Sequence, residues 1–99
     1  MRVEWLEPAL AEFDEAMSYI AERNPQAAKD VAQTLYRCVE QLRTHPHLGR
    51  KGRVEGTHEL VIANTHFVIP YRIRQDQNVV EVLAVMHDAR EWPDIFPHA

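Results

Sequence analysis

The groups that could move protons lie in the second half of the chain. Three of the six histidines, His58, His66 and His87, fall where the residue pattern turns β-like, alongside Arg72 and Arg90. An imidazole titrating near pH ~6.5 can accept and return a proton, and a guanidinium can grip a phosphate. His58, His87 and Arg90 could together supply an acid–base pair and a grip on an anion. A lone strand histidine otherwise reads as a solvated or hydrogen-bonded residue.

A second group is basic. Arg50, Lys51 and Arg53 are clustered in a stretch with three glycines. Arg72 and Arg74 are two apart on a strand and share one face, with Tyr71 and Ile73 on the core side. These arginines read equally as a binding site for an anionic target or partner surface and as a solvated outer face. His45 and His47 flank Pro46 but lack further ligands, and Cys38 stands alone, so no metal site or cofactor is expected. Cys38 falls on an apolar helical stripe and reads as a packed thiol. One cysteine also excludes an internal disulfide and suits a reducing cytoplasm.

The elements that must position these groups follow from periodicity. Arg2–Leu6 alternates as a short strand, with Val3 and Trp5 on one face. Pro8 suits a first helical turn, and Leu10, Phe13, Met17 and Ile20 then form an apolar stripe, widened by Ala9, Ala16 and Ala21, with Glu12, Asp14, Glu15 and Glu22 off it. Asn24 and Pro25 are a helix cap and first residue. Ala28, Val31, Leu35, Cys38, Val39 and Leu42 carry a second helix of about five turns, which stops at Thr44-His45-Pro46. The short link makes the two helices a hairpin. Residues 47–56 read as an exposed loop. Three strands follow at 58–62, 66–74 and 79–86, joined by turns at 63–65 and 75–78 into an antiparallel meander. Pro70 removes a ladder donor, so it should mark a bulge or face an unpaired edge. Trp92 is expected to anchor the tail on the sheet.

The chain has 99 residues and a net charge of −4, with 45% apolar and 26% charged residues. That is one globular domain, residues 1–99, with no span or signal-peptide core. Its order is β-α-α-β-β-β, an α+β fold with a helical hairpin packed on one face of an antiparallel sheet. The charge is uneven: residues 1–49 sum to −3, 50–74 to +3 and 75–99 to −4. The acidic balance argues against a bulk nucleic-acid coat, while the basic middle suits a local anionic partner or a solvated loop and strand face.

Five phrases then occur in order: Tyr19-Ile20-Ala21-Glu22-Arg23-Asn24-Pro25, His45-Pro46-His47-Leu48-Gly49-Arg50, Gly52-Arg53-Val54-Glu55-Gly56-Thr57-His58-Glu59-Leu60-Val61, Pro70-Tyr71-Arg72-Ile73 and His87-Asp88-Ala89-Arg90-Glu91-Trp92-Pro93. Together they resemble the RelE/ParE superfamily of type II toxins, also called plasmid-stabilisation proteins, over nearly the whole chain. The resemblance implies a cytoplasmic toxin and a cognate antitoxin that folds on it, with DNA met only through the antitoxin. It also implies a target or antitoxin role for Arg50, Lys51, Arg53, Arg72, Arg74, His87 and Arg90.

The superfamily divides into ribosome-dependent mRNA endonucleases of RelE type and ParE-type inhibitors of DNA gyrase. The nuclease strand bears a Lys-x-Lys alternation where this chain has Glu59 and Val61. A nuclease arginine falls near Val68, and a terminal Lys–Arg pair is His87-Asp88. Glu59 would repel a phosphorane. The expectation is therefore a ParE-like inhibitor acting by protein contact and without a catalytic centre. The alternatives that the resemblance leaves are an mRNA endonuclease, in which His58, His87 and Arg90 would supply the base for the 2′-hydroxyl, the acid for the leaving oxygen and the cation for the phosphate, and an inactive antitoxin-binding module.

Overall fold

In the computed structural model, residues 1–88, 92, 93, 95 and 96 are described. Strand β1 is Arg2–Trp5, α1 is Glu7–Arg23 and α2 is Pro25–Glu40, extended by a 3₁₀ turn at Gln41–Arg43. The remaining strands are β2, Arg50–Lys51; β3, His58–Val61; β4, Phe67–Arg74; β5, Val79–Val82; and β6, Met86–His87.

The hairpin forms as its cap predicts. Asn24 ends α1 by donating its backbone N–H to Ile20 O at 2.9 Å. Its side-chain oxygen opens α2 by accepting from the Ala27 N–H at 3.1 Å. Ala9, Leu35, Val39 and Leu42 meet Leu60, Ile62, Ile69, Tyr71, Val80, Val82 and Val85 in the main core, with Phe13, Met17, Val31 and Cys38 packed against it. Leu10 departs from the expected stripe and is exposed. The buried line of α1 runs through Ala9 instead, one residue round the helix.

The sheet order is β1-β5-β4-β3-β2, with β6 beside β4. The meander β3-β4-β5 is antiparallel as expected, and β1 joins β5 in parallel, with Arg2 opposite Val79 and Trp5 opposite Val82, so the whole sheet is mixed. Two departures from the expected elements matter for the site. The loop at 47–56 contains β2, which pairs Arg50 with Glu59 and Lys51 with His58. The strand expected over 79–86 is broken at Leu83–Val85.

That break is a bulge. Val82 faces Tyr71 and Met86 faces Val68, so four steps on one strand match three on β4. Pro70 lies opposite the extra residue. Its carbonyl accepts from Leu83 N at 2.9 Å, so its missing N–H points at the interruption, as a proline in a sheet requires. The Val85 N–H, displaced from the ladder, donates to Glu12 Oε1 on α1 at 3.0 Å. Glu12 is therefore not a solvated residue off the stripe. The extra residue also turns Val85 into the helix-side core, whereas Leu83, Ala84 and Met86 join Val54, Phe96 and Trp92 in a second cluster.

Candidate functional site

Alternation along the strands puts Glu59, Arg72, Arg74 and Glu81 on the face away from the helices. Glu59 is 2% exposed and Glu81 8%. A buried carboxylate must be paired, and each of these is paired twice. Arg50 reaches Glu59 Oε1 through Nε at 3.2 Å and Nη2 at 2.9 Å. Arg53 donates its backbone N–H to Glu59 Oε2 at 2.7 Å and its Nε to the same oxygen at 3.0 Å. Glu81 Oε1 accepts from Arg72 Nε at 2.6 Å and Arg74 Nε at 3.2 Å. Burial alone would raise both carboxyl pKa values. Hydrogen bonds from Arg53 and Arg50 hold Glu59 below the usual range, and Arg72 with Arg74 does the same for Glu81.

The segment between β2 and β3 folds over Glu59. Gly52 N donates to Thr57 O at 2.9 Å and Thr57 Oγ1 donates to Val54 O at 2.6 Å. A side chain at Gly52 would collide with Thr57. The Trp92 indole lies under the Arg53 guanidinium, 3.6 Å from its ring centroid, so the expected tail anchor grips an arginine as well as the second apolar cluster.

The helix-side face carries the histidines. His58 stacks on Tyr71 with ring centroids 5.3 Å apart and meets His47 edge-on at 5.6 Å. Its Nδ1 is buried with no hydrogen-bond partner among the described residues, and burial, reinforced by His47, pushes its pKa down. Tyr71 OH donates to Pro46 O at 2.7 Å and accepts from Gly49 N at 2.9 Å, which ties the loop after α2 to the sheet. A Cβ at Gly49 would sit 2.7 Å from both the Tyr71 hydroxyl and Glu59 O.

At the far end of β4, His66 stacks on His87 at 5.4 Å. Both rings stand beside Asp88, with Nδ1 atoms 3.7 Å and 3.6 Å from its carboxylate oxygens. They edge a groove of about 770 Å³ between α1 and the β3–β4 turn, lined by Glu12, Ala16, Tyr19, Ile20, Phe67 and Val85 among others.

The fold thus brings Arg50 together with Arg53, Arg72 with Arg74, and His66 with His87. It does not bring His58 to His87. Their partners in the ladder, Tyr71 and Phe67, are four residues apart on β4, a separation of about 13 Å along the strand. Lys51 is exposed on β2 opposite His58. Arg90 lies outside the described residues. Sequence reasoning missed Glu81 and Glu12, and took Glu59 only as a residue hostile to phosphate. Alternation could have placed Glu59 and Glu81 on the arginine face, but not their burial. Among the described residues no group of three histidine, cysteine, aspartate or glutamate side chains could hold a metal ion, and no helix is long and apolar enough to cross a membrane.

Comparison with known proteins adds three similarities. Residues 3–92 match the family model described as the ParE toxin of the type II toxin–antitoxin system parDE. Y4kP, a candidate toxin of Sinorhizobium fredii, is 40% identical over 94 residues, covering 95% of each chain. In the solved structure of a chromosomal ParDE toxin–antitoxin system from P. aeruginosa, one chain superimposes with a TM-score of 0.78 at 21% identity, over 88% of this chain and 95% of that one. The last similarity is one of fold.

Proposed function

Because this chain belongs to the ParE toxin family of type II toxin–antitoxin systems, we propose that it acts in the cytoplasm by binding DNA gyrase and blocking supercoiling, and that a cognate antitoxin neutralises it. The observation that carries this reading is Glu59. A strand position where an RNA-cleaving relative would present a cation is a buried carboxylate that neutralises Arg50 and Arg53. A developing phosphorane dianion there would meet like charge. The histidines support the same reading, since His58 pairs with Tyr71 in the middle of β4 and His87 with Phe67 at its start, about 13 Å apart along the strand and too far to share one scissile phosphate.

Purified toxin added to gyrase and relaxed plasmid is expected to stop supercoiling while leaving ribosome-bound mRNA uncut. Normal supercoiling at saturating toxin rejects the proposal. New 5′ ends in translated mRNA, lost in His87→Ala, would establish the nuclease instead. Normal growth of cells expressing the chain without antitoxin would point to an inactive antitoxin-binding module.

A further inference from the structure

We propose that the outer face of the sheet docks a short acidic segment of the toxin's protein target, with Glu59 and Glu81 as positioning residues that hold its arginines ready. The proposal rests on the reading that this toxin works by protein contact.

The argument begins with the guanidiniums. Arg50, Arg53 and Arg74 are 56%, 42% and 40% exposed at their side chains, yet each is fixed by a carboxylate that is itself nearly sealed from water. A free arginine gives up rotamer freedom when a partner orders it. Here Glu59 and Glu81 already hold the arginines in place. The Trp92 ring covers one face of the Arg53 guanidinium, whose Nε and Nη2 are held by Glu59. A guanidinium has five N–H donors, and one carboxylate takes up only part of that set. Among the described residues of the patch, four arginines share the two carboxylates of Glu59 and Glu81, a local excess of cations on a chain that is −4 overall. Preorganised forks of this kind suit planar carboxylates bound edge to edge.

The extent of the patch selects a peptide over a nucleic acid. From β2 to β5 it crosses three strand spacings, about 14 Å, the reach of roughly four extended residues. Exposed acids bound it. Glu4 stands opposite Glu81 on the same face, and Glu55 lies beyond Arg53 in the loop. A polyphosphate backbone running past the patch would meet those charges, whereas a short acidic segment ends before it reaches them.

The test uses the full chain with Trp5→Phe, so that Trp92 alone reports. A tetraglutamate peptide capped at both ends and an eight-residue oligothymidylate are titrated at low salt and followed by indole emission. The peptide is expected to bind, to weaken as salt rises, and to outcompete the oligonucleotide. The double variant Arg50→Ala, Arg74→Ala should bind about tenfold more weakly or worse, from the loss of two charge-assisted forks. It leaves Arg53 on Glu59 and Arg72 on Glu81, so the buried carboxylates stay paired. Lys29→Ala on α2 should change nothing. Glu81→Gln separates positioning from bulk charge: it makes the face more positive, so simple attraction predicts tighter binding, whereas positioning predicts weaker binding in a variant with unchanged circular dichroism. Tighter oligonucleotide than peptide binding, or no peptide binding, overturns the proposal. In the gyrase assay, equal inhibition by wild type and the double variant overturns it and leaves the gyrase reading intact. Peptide binding by a wild type that does not inhibit gyrase supports the docking chemistry and removes gyrase as the target.

Discussion

Glu59 shows how one residue can set both the charge and the stability of a surface. It accepts from three side-chain or backbone donors of Arg53 and from two N–H groups of Arg50. Glu59→Gln keeps the shape and removes the charge, so these bonds lose their ionic component. Hydrogen bonds to charged groups contribute ~1.5–3 kcal/mol, and a loss of about 2 kcal/mol is expected, read as a lower urea midpoint at unchanged m. His58 makes the opposite case. Its Nδ1 is buried with no hydrogen-bond partner among the described residues, yet its ring stacks on Tyr71. His58→Phe preserves the stack and removes the unpaired nitrogen. Thermal unfolding should show a gain of about 1 kcal/mol, several degrees in a domain of this size. A lower midpoint would mean that the imidazole contributes something the ring alone does not.

At the scale of elements, the bulge at Leu83–Val85 decides which side chains face the groove and which face the second cluster. Its stray donor, the Val85 N–H, is taken by Glu12 across 73 residues of sequence. Glu12→Ala strands that donor in a partly buried position, at a cost of about 1–2 kcal/mol. Hydrogen exchange at the Val85 amide should quicken more than exchange in β3, whereas equal changes in both would show only global destabilisation. The bulge was half legible in the sequence, because Pro70 announces an interruption on its strand. It does not say on which neighbour the extra residue falls. The helices were legible because a 3.6-residue stripe and an Asn-Pro cap are local signals, although Leu10 was taken for the stripe and Ala9 was its real edge. Strand β2 was hidden for the opposite reason. Arg50 and Lys51 are both exposed and carry no apolar alternation, and they form a strand only because β3 lies beside them. The arginines of the candidate site could be listed from sequence, but their pairing with Glu59 and Glu81 depends on cross-strand register, which no local pattern encodes.

At the scale of the molecule, the N-terminal strand closes one edge of the sheet. β1 clasps β5 in parallel, and the terminal amine donates to Arg43 O at 2.9 Å. The titrating groups within this closed body act together. Glu59 and Glu81 have folded pKa values below their unfolded ones, so the stability they contribute is complete above the unfolded value, ~4.3, and is lost as pH falls through the folded values. The His58 pKa is also depressed, because the buried ring prefers to be neutral; below its unfolded value, ~6.5, the unfolded chain takes up a proton that the folded chain resists. All three groups therefore favour the folded state at higher pH. Stability measured by urea unfolding is expected to be flat near pH 7 to 8, to decline modestly between pH ~6.5 and 5, and to fall more steeply below ~4.5. The two stages can be assigned separately. His58→Phe should remove the first decline and leave the second, while Glu59→Gln should shrink the second and leave the first. A first decline that survives in His58→Phe would show that the buried His58 ring is not its source.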